Sequence, residues 1–144
     1  MAHTYSQTIG EQQACAVSFN LPISTKHGME VCKSLKGKLL PKATAFLQNV
    51  MECKIAVPYT KYHFDLGHKK GMGPGRFPVI TCKHLLGVLK NAEANAQAKG
   101  LNTSTLIVQH AVCNTGPTVW RYGRKRRRQA KRAHVEIIIG EKQK

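Results

Sequence analysis

Residues 120–133 read WRYGRKRRRQAKRA, and no other stretch restricts the possible folds of this chain so strongly. Eight of the twelve residues from 121 to 132 are basic: Arg121, Arg124, Lys125, Arg126, Arg127, Arg128, Lys131 and Arg132. No Asp or Glu lies between Glu93 and Glu136. Cations set side by side repel one another and are not buried without partners. With 7 Asp and Glu against 23 Lys and Arg, a formal net charge of +16, the chain cannot neutralise the run by itself. A polyanion can. Nucleic acid is the first candidate, because Lys and Arg that neutralise phosphates gain free energy from counterion release. A charge run also fits a solvated tail or a nuclear address over residues 124–128. Position argues against the tail, because strand-like sequence flanks the run on both sides.

Before the run, residues 105–113 are β-branched and partly alternating. This places Leu106, Val108, His110 and Val112 on one face and Ile107, Gln109, Ala111 and Cys113 on the other. After it, residues 134–140 put Val135, Ile137 and Ile139 on one face. Two strands around a polar centre predict a β-hairpin. Pairing Leu106 near Gly140 sets the midpoint at Gly123, a residue that tolerates turn geometry. Each arm is then about 17 residues, roughly 55 Å, with His110 and His134 facing across the ladder. Residues 114–133 hold Gly116, Pro117, Gly123 and the cations, with little to bury. A two-stranded ribbon alone is marginal in water. The expectation is therefore a basic finger that becomes ordered against RNA or DNA.

The rest of the chain supplies its base. Residues 1–13 are polar and expected to be loosely ordered, and residues 14–21 form a short strand ended by Pro22. Ser24 as N-cap and Gly37 as C′ residue predict a helix over 25–36 with Gly28, Val31, Cys32 and Leu35 inward. Pro41 opens a second helix with Ala43, Phe46, Leu47, Val50 and Met51 as its apolar stripe. A third runs from Pro78 to Lys99 and is closed by Gly100, with Cys82, Leu85, Leu86, Leu89, Ala92 and Ala96 inward; Asn91, Glu93, Asn95 and Gln97 are polar and fit a partner contact or, better, a solvated face. The fold class is α+β: three helices packed on a small antiparallel sheet, with a long protruding basic β-hairpin. At 144 residues one domain is expected, its globular part at 14–113 and 134–141 and its extended tip at about 114–133.

Residues 57–78, VPYTKYHFDLGHKKGMGPGRFP, form a second basic region. Tyr59, Tyr62, Phe64 and Phe77 are interleaved with Lys61, His68, Lys69, Lys70 and Arg76 among four glycines and three prolines. A loop this long in a compact domain is usually functional or ordered by a partner. Cations beside aromatics suit RNA, where phosphates are gripped and exposed bases stack. The aromatics fit docking on the core equally well.

Several function classes find no support. The seven carboxylates are scattered, the seven histidines dispersed, and no HExxH or phosphate-loop motif occurs, so neither an enzyme nor a cofactor or metal site is expected. The five cysteines, at 15, 32, 53, 82 and 113, form no Cys-x-x-Cys pair and read as reduced, buried thiols. The Asn102-Thr103-Ser104 sequon is then incidental. No apolar run approaches the ~20 residues of a membrane span, and the N-terminal residues do not read as a secretory signal.

The order strand, two helices, basic loop, long helix and basic hairpin carries several specific motifs. They are LPISTKH at 21–27, LKG at 35–37, KATAFL at 42–47, AVPY at 56–59 with Tyr62, GPGRFP at 73–78, LKNAEANA at 89–96 with KGL at 99–101, and HVEI at 134–137. Over about residues 14–141 the chain resembles the universal ribosomal protein family numbered twenty-two in bacteria and seventeen in eukaryotes, and residues 57–78 look like its archaeal and eukaryotic branch. The resemblance implies a structural constituent of the large ribosomal subunit, with ribosomal RNA, neighbouring ribosomal proteins and, transiently, the nascent polypeptide as partners. Its place would be the cytoplasmic ribosome, with nucleolar assembly in a eukaryote. The RNA-binding set would be Lys61, His68, Lys69, Lys70, Arg76 and the eight cations of the run. Trp120, Arg121, Tyr122, Gly123, Arg124 and Lys125 would line the peptide exit tunnel. The tip departs from the family's Arg-Ala-x-Gly-Arg pattern, reading Arg121-Tyr-Gly-Arg-Lys here. The rival reading is a free architectural protein that lays a basic β-ribbon on DNA.

Overall fold

The computed structural model describes residues 5–141. Its elements are β1 (Gln13–Leu21), α1 (Thr25–Leu35), α2 (Leu40–Met51), β2 (Val57–Pro58), β3 (His68–Lys69), β4 (Gly73–Arg76), α3 (Val79–Ala98), β5 (Leu106–Thr115), β6 (Val119–Trp120), β7 (Gln129–Ala130) and β8 (Ala133–Glu141). A single 3-10 turn spans Gly123–Lys125. The architecture is the expected α+β: α1 lies on β5, α3 lies on β1 and β8, and α2 packs against α3.

The main sheet is antiparallel in the order β1-β8-β5. As the central strand, β8 is buried on both faces, with Val135, Ile137 and Ile139 in the core and Glu136 and Ile138 buried on the other side. β5 pairs with it from Leu106↔Glu141 to Thr115↔Ala133, one residue from the expected register. The face assignment of β5 changes halfway. Leu106 and Val108 are buried, but so are Ala111 and Cys113, whereas His110 and Val112 are not. The ladder shifts between Val108 and His110. One extra residue in a strand reverses every later side chain. The interruption coincides with a competing partner: Val108 N–H donates to Lys38 O at 2.9 Å and its carbonyl accepts from Gly37 N at 2.8 Å. The same shift separates the two histidines, since His110 pairs with Ile138 and His134 with Asn114.

The helices match the expected ranges within a residue or two, with two differences. Ser24 occupies the N-cap of α1 but its hydroxyl makes no capping bond. Glu30, not anticipated as an inward residue, is buried. Close packing of α1 on β5 depends on Gly28, where a Cβ would overlap the Cys113 thiol. Leu86, Phe46 and Met51 are only partly buried, while Val88 and Leu40 join the core.

Three further expectations need correction. The N-terminal segment is anchored at Ser6, which donates to the Glu136 carboxylate from N (2.9 Å) and Oγ (2.7 Å), although residues 6–12 are exposed; residues 1–4 lie outside the described chain. Asn95 is not merely solvated. It donates to Cys15 O at 2.8 Å, as Lys99 Nζ does to Gln13 O at 2.8 Å, so α3 covers carbonyls of the edge strand β1. The cysteines are all free, but Cys53 is exposed and only Cys32, Cys82 and Cys113 are buried.

Candidate nucleic-acid interface

The hairpin leaves the sheet at Gly116, whose N–H donates to Arg132 O at 2.9 Å. Beyond it, β6 and β7 pair through Val119↔Ala130 and Trp120↔Gln129. The turn is held by Arg121 N–H to Arg128 O (2.9 Å) and Arg126 N–H to Gly123 O (3.1 Å). Gly123 has φ +66°, as its placement at the apex requires. Arg127 also has positive φ, 71°, which an L side chain adopts at a cost. Every residue from 117 to 129 is exposed, Tyr122 at 95% and Trp120 at 63%. No carboxylate among the described residues pairs with the eight cations; Arg126 and Arg132 reach only backbone carbonyls. The finger is thus a hydrogen-bonded ribbon with no core beneath it.

Residues 57–78 are more ordered than a loop. β2, β4 and β3 form a second small antiparallel sheet, with Val57↔Arg76 and Pro58↔Gly75 on one side and His68↔Pro74 and Lys69↔Gly73 on the other. Strands of two to four residues rich in Gly and Pro carry no periodic signal, so only the pairing itself reveals them. The sheet is joined to α1 through Glu30. Its Oε1 accepts from the backbone N–H of Lys61 (2.8 Å) and Tyr62 (2.9 Å), and its Oε2 from Thr60 N–H (3.2 Å). Burial alone would raise the Glu30 pKa, but these donors, with the Thr60 hydroxyl, overcome it and hold the carboxyl below its ordinary value. This buried acid is therefore a clamp on the start of the basic segment rather than a proton-transfer group.

The aromatics divide between the two anticipated roles. Tyr59 is buried and edge-on to His27 (5.8 Å). Tyr62 is half-buried beneath Lys26 (5.6 Å) and Lys61 (5.7 Å), and Phe77 carries Lys69 at 5.5 Å. Phe64 is 88% exposed. Lys61, His68, Lys69, Lys70 and Arg76 all point to solvent.

The fold brings the two basic regions together. His27, in the first turn of α1, has its pKa lowered by burial and then by the charges of Arg76 and Lys131. Arg76 belongs to β4 and Lys131 to the root of the finger, so both basic regions place a charge near the first turn of α1. Sequence reasoning missed Lys26 and His27, which lie in that turn. Their basic character is visible in the sequence, but helix periodicity says nothing about which distant segment a helix end will face.

Among the described residues no group of three or more His, Cys, Asp or Glu is placed to hold a metal ion, and no helix is long and apolar enough to cross a membrane. Comparison with known proteins agrees with the motifs. Residues 16–139 match the family model described as ribosomal protein L22p/L17e. The protein named large ribosomal subunit protein uL22 from Methanocaldococcus jannaschii is 38% identical over 139 residues, covering 91% of this chain and 89% of the relative. Its namesake from Methanococcus aeolicus is 37% identical over 143 residues, covering 94% of each. That from Ignicoccus hospitalis is 35% identical over 142 residues, covering 91% and 89%. Matched along nearly its whole length, the chain belongs to the ribosomal protein L22p/L17e family, a family of structural proteins rather than enzymes.

Proposed function

We propose that this protein is a structural constituent of the large ribosomal subunit, built as one domain with a globular part at 14–113 and 134–141 and an extended ribbon at about 114–133. The observation that carries the reading is the exposed ribbon, whose cations have no carboxylate partner among the described residues. A protein of +16 charge whose ribbon cations have no carboxylate partner among the described residues offers a surface to phosphates. The globular part sits on large-subunit RNA through Lys61, His68, Lys69, Lys70 and Arg76. Arg126, Arg127, Arg128, Lys131 and Arg132 anchor the ribbon between RNA segments. Trp120, Arg121, Tyr122, Gly123, Arg124 and Lys125, at the exposed apex, border the exit tunnel and meet the nascent polypeptide in passing. Phosphate contacts position a protein without reading sequence, so RNA shape supplies the specificity. The names of the archaeal relatives support residence on the large subunit, hence in the cytoplasm and among other ribosomal proteins.

The test is sedimentation of native lysate on a sucrose gradient, with and without ribonuclease sufficient to degrade ribosomal RNA. The protein is expected with the large subunit and at the top of the gradient after digestion. Sedimentation at the top in both cases, with tight duplex-DNA binding, would replace this reading with the DNA-ribbon one.

A further inference from the structure

A cleft of about 310 Å³ opens between the first turn of α1 and the small sheet. It is lined chiefly by Lys26, His27, Tyr59, Lys61, Tyr62 and Arg76. Its size falls at the lower end of small-ligand sites, which run from ~300 to 1,000 Å³. Three independent features make it unsatisfied as it stands.

The first is electrostatic. Lys26, Lys61 and Arg76 converge on a helix N-terminus that has no acidic residue in its first turn and no capping side chain. The macrodipole there is positive, so cations are disfavoured and an anion is favoured. The ionised Glu30 nearby is turned onto the amides of Thr60, Lys61 and Tyr62 and forms no ion pair with these three cations. The second is a hydroxyl. Tyr59 is 3% exposed, forms part of the cleft wall, and its Oη is buried with no hydrogen-bond partner. A buried polar atom without a partner is costly, and calls for an explanation. The third is Phe64, which lines the same cleft yet is 88% exposed.

We propose that this cleft takes one unstacked RNA nucleotide: its phosphate is held by Lys26, Lys61 and Arg76, and its base stacks on Phe64. Phosphate binding draws the long Lys26 and Arg76 side chains onto the anion, and Tyr59 Oη donates to a phosphate oxygen. Glu30 fixes the Lys61 and Tyr62 backbone, so the wall is set before the ligand arrives. The proposal rests on the reading of this chain as an RNA-binding protein and specifies where an extruded nucleotide is gripped.

The test is an NMR titration of the full chain with adenosine 5′-monophosphate and, separately, inorganic phosphate. The monophosphate is expected to saturate shifts at the Lys61, Tyr62 and Arg76 amides, and to bind about fivefold or more tightly than phosphate, since base stacking adds to the anion contact. Lys26→Ala with Arg76→Ala should abolish both responses. Phe64→Ala should remove the preference for the nucleotide and leave the phosphate response. Tyr59→Phe should weaken both ligands about three- to tenfold while leaving the thermal midpoint of the free protein unchanged or higher, because it deletes an unpaired buried hydroxyl. A merely structural tyrosine would not combine these effects. No saturable shift in the cleft, equal affinity for phosphate and nucleotide, or unaltered binding by Tyr59→Phe would each overturn the proposal. The gradient experiment is read separately. Large-subunit sedimentation without cleft binding sinks the cleft alone, and cleft binding without sedimentation sinks the ribosomal reading alone.

Discussion

The two ends of the β5–β8 hairpin share one backbone ladder and differ in almost everything else. From Ala133 to Gly140, β8 is flanked by a strand on each side and is buried nearly throughout, with Ile137 and Ile139 at 0% exposure. Ten residues away, at Gly123, the same pair of chains is solvent-exposed on both faces and has no third strand. Folding free energy comes from apolar burial, so it is concentrated at the sheet end. Binding free energy to a polyanion comes from cations that folding has left unpaired, so it is concentrated at the tip. The hairpin separates the two tasks along its length, and a substitution should affect stability or RNA binding according to which end it touches.

The largest stability effect is expected at the buried end. Ile137→Ala should destabilise the protein by about 2–5 kcal/mol, measured by chemical denaturation. A loss well under 1 kcal/mol would break the comparison, since it would mean the sheet end does not carry the fold.

Glu30 comes next, because it joins the core to a basic segment. Glu30→Gln should cost about 1.5–3 kcal/mol near neutral pH, the range for hydrogen bonds to a charged group. Its pKa is lowered from an ordinary 4.5, so the folded state holds this proton less tightly than the unfolded one. Its contribution is therefore full above about 4.5 and is lost as pH falls through the lower, folded value. The gap between wild type and Glu30→Gln should narrow steadily below pH ~4.5. A gap independent of pH would show that the lost stability is packing rather than charge.

The smallest stability effect is expected at the tip. Replacing Arg126, Arg127 and Arg128 together by Ala should change the unfolding free energy by no more than about 0.5 kcal/mol. The same variant should flatten the slope of log K against log salt for ribosomal RNA by about 2–3, from near −5 if about six phosphates are neutralised. An unchanged slope would remove these arginines from the RNA interface; a large stability loss would erase the contrast between the two ends.

Much of this was legible in the chain. The hairpin, its apex at Gly123 and a register within one residue follow from two β-branched runs around a polar centre. The three helices follow from apolar stripes bounded by Pro and Gly. The cationic tip was plain because nothing in the sequence could neutralise it. Less was legible of the site near α1. Lys61 and Arg76 were recognised as basic, but Lys26, His27 and the orphaned Tyr59 hydroxyl acquire meaning only when α1 and the small sheet meet.

The sequence by itself determined the classes of element, their order and the unbalanced charge, because these depend on local periodicity, turn chemistry and composition. Tertiary structure decided the rest. Lys38 and Gly37 engage Val108 and accompany the shift that sends Ala111 and Cys113 inward in place of His110 and Val112. Glu30 became buried because three backbone amides from a segment thirty residues away were there to receive it. Pairings between distant segments leave no periodic trace in a single chain, and they set both the core faces of β5 and the wall of the cleft.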